Sequence, residues 1–107
     1  KTAEALRHFR LALAAKPDYQ EVHFTMGVVH LMNGNLAGAE DAFRNAVRLD
    51  PEDYRAQGNL GAVFLRQGRI KEATGQFETA LRLNPNDATA RDTLDRLRKT
   101  TGGQGKP

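Results

Sequence analysis

Few side chains in this sequence are suited to chemistry near neutral pH. The imidazoles are His8, His23 and His30, and there is no cysteine. Absence of cysteine excludes a thiolate nucleophile and a disulfide framework. His23 and His30 fall on roughly one face of a helix, two turns apart. A zinc site needs three or four converging ligands, and no further set accompanies these two, so packing is expected of both and no metal. No Ser-His-Asp pattern and no pair of acids on apolar flanks is present. Gly102-Gly103-Gln104-Gly105-Lys106 is glycine-rich and ends on a lysine. It lacks the strand before and the helix after that a phosphate-cradling loop requires. No catalytic residue and no cofactor is expected, and function is sought on a surface.

The elements that carry such a surface show themselves as a repeat. Residues 20–53 read again at 54–87. Gly27 falls on Gly61, Val29 on Val63, Leu31 on Leu65, Gly34 on Gly68 and Ala39 on Ala73. Phe43 falls on Phe77, Ala46 on Ala80, Leu49 on Leu83, Pro51 on Pro85 and Asp53 on Asp87. Small and apolar residues returning at a fixed spacing of about 34 mark a solenoid repeat. Apolar residues at helical spacing predict helices over 2–15, 20–32, 36–49, 54–67, 70–83 and 88–99. Gly34 and Gly68 mark turns, while Pro17, Pro51 and Pro85 stop helices. Asp53 and Asp87 are placed to cap the helices that follow.

The repeated residues form a code for packing. A glycine inside a helix costs about 1 kcal/mol relative to Ala, so Gly27 and Gly61 are expected to permit close approach to Ala39 and Ala73. Phe43 and Phe77 are expected to fill the space between paired helices, and Ala46 and Ala80 to admit the next helix. The first helix matches the second half of a repeat, with Ala5, Phe9 and Ala12 where Ala39, Phe43 and Ala46 stand. Some of Leu6, Phe9 and Leu13 are therefore expected to be left exposed. The last helix carries Asp95 at the glycine position and reads as a polar cap, followed by a disordered tail at 100–107. The chain has 107 residues and a formal charge of +3. Acids and bases are interspersed, so charge alone does not indicate nucleic acid. No apolar run approaches the ~20 residues of a membrane span. It opens at Lys1 in mid-pattern, without Met, and is expected to be a fragment of a larger protein.

These repeats resemble the tetratricopeptide repeat (TPR). The motif positions are Met26-Gly27, His30, Gly34, Ala39, Phe43, Ala46 and Pro51, then Leu60-Gly61, Phe64, Gly68, Ala73, Phe77, Ala80 and Pro85. The family's Trp position holds His23 and Gln57. The resemblance implies an all-α fold, an α-solenoid of antiparallel helix pairs: a half repeat (1–19), two full units (20–53 and 54–87) and a capping helix (88–99). It also implies a concave groove, lined by the first helix of each unit, that binds a peptide or partner segment. Carried over, the groove positions are Glu21, Phe24, Thr25, Val28, Leu31 and Met32 in the first unit. In the second they are Arg55, Gly58, Asn59, Ala62, Leu65 and Arg66, and in the cap Thr89, Asp92, Thr93 and Arg96. Phe24, Val28 and Met32 make one apolar stripe, for groove lining or for a preceding helix. Members that clamp a terminal carboxylate use basic residues and Asn where this chain has Phe24, Val28, Thr89 and Thr93, so that clamp is not expected here.

Three functions follow. The first is a non-catalytic protein-interaction module within a scaffold or adaptor. The second is the repeat region of an enzyme, such as a glycosyltransferase, whose catalytic domain lies outside this chain. The third, RNA binding, draws on Arg55, Arg66, Arg96 and Lys99, but the repeated helices lack the recurring base-reading pairs of RNA-binding repeats. A protein or peptide partner is expected, without nucleic acid or membrane. The uncovered end of the first helix also raises end-to-end or helix-exchanged self-association.

Overall fold

The computed structural model describes residues 1–105, with side chains described to residue 100. The helices are α1 (Thr2–Ala15), α2 (Gln20–Met32), α3 (Leu36–Leu49), α4 (Tyr54–Arg66), α5 (Ile70–Leu83) and α6 (Ala88–Gly105). Among the described residues there is no strand. Each predicted helix is present. α4 stops at Arg66 because Gln67 takes the C-cap, its N–H shared among the Val63, Phe64 and Leu65 carbonyls. α6 runs past the expected end at Lys99. The Thr100 hydroxyl donates to the Arg96 carbonyl at 3.0 Å, a local bond that a helical turn supplies. The rest of the expected disordered tail, the side chains of 101–105 and residues 106 and 107, lies outside the described residues.

The turns after α2 and α4 are built alike. Gly34 and Gly68 have φ of 77° and 78°, a left-handed conformation that glycine adopts without a Cβ penalty. In the first turn Asn35 N–H reaches the His30 carbonyl at 2.9 Å and Gly34 N–H reaches Leu31 at 3.1 Å. In the second, Arg69 N–H reaches Phe64 at 2.8 Å and Gly68 N–H reaches Leu65 at 3.0 Å. Both are Schellman closures, which satisfy orphan carbonyls and reverse the chain within a few residues. The next helix is thereby held antiparallel to the one before. Asp53 and Asp87 cap α4 and α6, accepting from Arg55 N–H at 3.0 Å and Ala90 N–H at 3.1 Å.

The chain divides into two compact units, Lys1–Glu52 and Asp53 onward. In the first, α2 and α3 pack over Phe43, Ala39 and Ala46, each fully buried. α1 lies on α2 and buries Leu6. Phe9 and Leu13 are half-buried, and the outward residue is Leu11, 60% exposed. In the second unit α4 and α5 enclose Ala56, Leu60, Val63, Phe64, Ala73, Phe77 and Ala80. α6 packs on α5 through Ala90, Leu94 and Leu97.

The partner of the helix glycines differs from the one expected. A Cβ built on Gly27 would lie 2.6–2.7 Å from the Phe43 ring, and one on Gly61 3.1–3.2 Å from Phe77 and Gln76. The aromatic ring, rather than Ala39 or Ala73, occupies the space the glycine leaves. Gly75, inside α5, is different: an added Cβ meets nothing within 4 Å. Gly75→Ala is expected to stabilise the protein by about 0.5–1 kcal/mol through helix propensity alone. A chemical denaturation series that shows no gain, or a loss, refutes this.

Candidate functional site

The twelve sequence-predicted positions fall in two separate groups, six on α2 and six on α4. On α2, the Phe24 ring stands edge-on to Phe43, centroids 5.8 Å apart at 69°. It thus buttresses the core as well as the surface. The Thr25 hydroxyl is turned back onto the Glu21 carbonyl at 2.8 Å, so its proton is already engaged. Val28 and Leu31 are half-buried, Glu21 is exposed, and Met32 is 80% exposed. An unbranched thioether so far from the core contributes little to folding and is suited to adaptable contacts.

On α4, Arg55 is forked onto Asp53, with Nε to Oδ1 at 3.0 Å and Nη2 to Oδ2 at 2.8 Å. The capping carboxylate therefore also holds the Arg55 guanidinium. The guanidinium is 46% exposed, but the carboxylate beneath it only 7%. Gly58 faces α5, where an added Cβ would meet Ala80 Cβ at an ordinary 3.8 Å. Ala62 and Leu65 are half-buried and Arg66 is exposed. Asn59 is half-buried, and among the described residues no hydrogen bond engages its amide. On α6, Thr89, Asp92 and Arg96 are exposed and Thr93 is half-buried.

The histidines fall into different roles. His23 is buried, with Nε2 2.8 Å from the Pro17 carbonyl. Gln57, at the same register, is also buried and accepts from Gln76 Nε2 at 2.6 Å. Each unit thus fills the family's Trp position with a polar group whose hydrogen bond is satisfied, as burial demands. His30 Nδ1 lies 3.1 Å from Asn35 Nδ2. In the second unit the matching residues are Phe64 and Arg69, with the guanidinium 4.4 Å from the ring centroid. The sequence reading missed these turn pairs. Their signal was the shared register of Asn35 and Arg69, the residues that follow each turn glycine. Among the described residues no group of three or more His, Asp or Glu is placed to hold a metal. No helix among them is long and apolar enough to cross a membrane.

Antiparallel helix pairs recurring at the sequence period, with a glycine beneath an aromatic ring in each, define an α-helical repeat protein. A family model described as tetratricopeptide repeat matches residues 1–53 and 24–88. The chain belongs to the tetratricopeptide repeat family, and its fold is the all-α solenoid of that family. Repeats of this kind are generally non-catalytic interaction modules.

Among solved structures, the chain is similar to MamA, with a TM-score of 0.85 and 23% identity over 90% of this chain and 56% of that one. It therefore spans little more than half of that relative. It is similar to the first TPR of Spaghetti (RPAP3) bound to the HSP90 peptide SRMEEVD, with a TM-score of 0.89 and 22% identity over 95% and 81% of the two chains. The Thermobaculum terrenum O-GlcNAc transferase matches at a TM-score of 0.79 and 28% identity, over 92% of this chain and 19% of the enzyme. No curated protein matches the sequence.

Proposed function

We propose that this chain is a non-catalytic module that binds a peptide or partner segment, with candidate contacts on α2 in the first unit and, separately, on α4 in the second. The observation that carries this is Asn59, half-buried with no internal hydrogen bond to its amide. A polar group so placed is satisfied by water or by a ligand, and an amide both donates to and accepts from a peptide backbone. Val28, Leu31 and Met32 on α2 supply apolar contacts of the kind that anchor an amphipathic segment. The chain carries Phe24, Val28, Thr89 and Thr93 where carboxylate-clamping relatives carry polar and basic residues. The segment bound is accordingly one anchored by apolar side chains, not by a terminal carboxylate. The likeness to a peptide-bound TPR structure supports the general mode.

Asn59→Ala is expected to weaken capture of a selected peptide about tenfold, the loss of roughly one hydrogen-bonded contact of about 1.4 kcal/mol. The melting temperature should hardly move, since no internal bond is lost. Met32→Glu should weaken binding similarly. Phe24→Ala is less clean because that ring also supports Phe43. Calorimetric titration with peptides selected from a display library is the measurement, and unchanged affinity in both Asn59→Ala and Met32→Glu refutes the reading.

The likeness to the glycosyltransferase favours a second reading, that the chain is the repeat region of an enzyme. The sequence of the parent gene decides between them. Self-association through α1, where Leu11 points outward, is a further expectation, and a strict monomer by light scattering at high concentration counts against it.

A further inference from the structure

The turn between α2 and α3 connects a titratable ring to a helix cap. Asn35 is the N-cap of α3, and its Oδ1 accepts the Gly38 N–H at 3.1 Å. A backbone N–H only donates, so this contact fixes which end of the amide is oxygen. The NH2 end therefore faces His30, 3.1 Å from Nδ1. That group also only donates, so Nδ1 must offer a lone pair and the ring must carry its proton on Nε2. An imidazolium has an N–H on both nitrogens. Two donors would then meet, and the amide must leave His30 or turn over and release Gly38.

We propose that His30 is a proton-operated latch on the N-cap of α3: the neutral ring holds Asn35 in its capping position, and the charged ring releases it. A Cβ on Gly38 would lie 2.7 Å from Asn35 Nδ2 and 2.9 Å from His30 Nδ1, so the three residues are tightly interlocked.

The charged groups around this turn are engaged elsewhere or exposed. On α3, Glu40 is bonded to Arg44 at 2.8 Å, and Asp41 is exposed. On α1, the Thr2 hydroxyl reaches Asn33 at 3.3 Å, with Lys1 and Glu4 exposed nearby in sequence. On α2 itself the other ionisable groups are Glu21 and His23, more than a turn away. Among the described residues none forms an ion pair with His30.

The second unit is an internal control. Phe64 has no ring nitrogen, and Arg69 is forked onto Glu72 at 2.6 and 3.0 Å. The latch is thus confined to the first unit, at the end of α2 that bears Leu31 and Met32. It rests on the turn geometry alone and does not depend on the partner-binding reading.

The test is a titration of 15N-labelled protein from about pH 8 to about pH 5, following the His30 ring and the Gly38 backbone amide. The Gly38 shift is expected to follow the His30 transition. Its exchange protection, corrected for intrinsic rate, should fall about fivefold, the loss of one cap. The Glu72 amide, at the same register, should not show that transition. His30→Phe should abolish the response while keeping the cap. Asn35→Asp retains an acceptor for Gly38 and gives the imidazolium a carboxylate, so the loss of protection should vanish or reverse. A Gly38 amide that stays flat through the His30 titration overturns the proposal, as does a transition that persists in His30→Phe. Loss of protection in Asn35→Asp equal to that of the unmodified chain also overturns it, which keeps the test decisive if His30→Phe does not fold.

Discussion

Phe43→Ala is expected to destabilise the unit Lys1–Glu52 by about 3–5 kcal/mol, the range for truncating a fully buried aromatic ring. The ring has no exposed surface. It fills the space over Gly27, meets the edge of Phe24 and lies among Ala39, Ala42 and Ala46, none of which is large enough to collapse into the void. A unit of this length has a stability of only about 3–8 kcal/mol at typical values per residue. The substitution should therefore leave α2 and α3 largely unprotected at room temperature. Hydrogen exchange resolved by NMR is the appropriate measurement, because repeat proteins lose structure locally. A loss below about 1.5 kcal/mol would mean that the site relaxes far more than a close-packed core allows.

The second large effect is an asymmetry between two glycines that the sequence places in register. Gly27→Ala is expected to destabilise by about 2 kcal/mol net: overpacking of up to about 3 kcal/mol, offset by about 1 kcal/mol of helix propensity. Gly61→Ala should fall within about 0.5 kcal/mol of neutral, its milder crowding offset by the same propensity gain. The distances set the order, 2.6 Å from a ring carbon at Gly27 against 3.1 Å at Gly61. The reason lies one turn earlier in each helix. Phe24 presses edge-on against Phe43 and keeps that ring from moving. The position matching Phe24 in the second unit is Gly58, so no aromatic buttress holds Phe77, which is 5% exposed.

The explanation carries its own control. Phe24→Ala costs stability alone, but it frees Phe43 to shift. It should therefore reduce the penalty of Gly27→Ala, giving a coupling of about 1 kcal/mol in a double-mutant cycle. Equal penalties at Gly27 and Gly61, or additivity of Phe24→Ala with Gly27→Ala, would sink it. The comparison also indicates how two copies of one motif diverge. Each keeps glycine beneath a ring, while the residue a turn away decides how firmly the ring is held.

Much of the fold was legible in the sequence because a repeat states its instructions twice. The recurrence of Gly27, Ala39 and Phe43 as Gly61, Ala73 and Phe77 set the helix pairs. Gly34 and Gly68 set the turns, and Asp53 and Asp87 the caps. Each acts through local backbone chemistry, which needs only neighbours along the chain: a missing Cβ, a missing N–H, a carboxylate near free amides. The twelve candidate groove positions were named through the family resemblance, not through periodicity.

What only the tertiary structure decided is which side chain meets which across the helices. Sequence reading assigned Gly27 to Ala39, but the space belongs to the Phe43 ring, since a ring reaches farther than a methyl group. It did not see that Asp53 holds Arg55, or that His30 Nδ1 faces Asn35. Asn59 showed its unengaged amide only once its neighbours were placed. Register gives the direction in which a side chain leaves its helix. Length, rotamer and competing partners determine where it ends, and those are settled by packing in three dimensions.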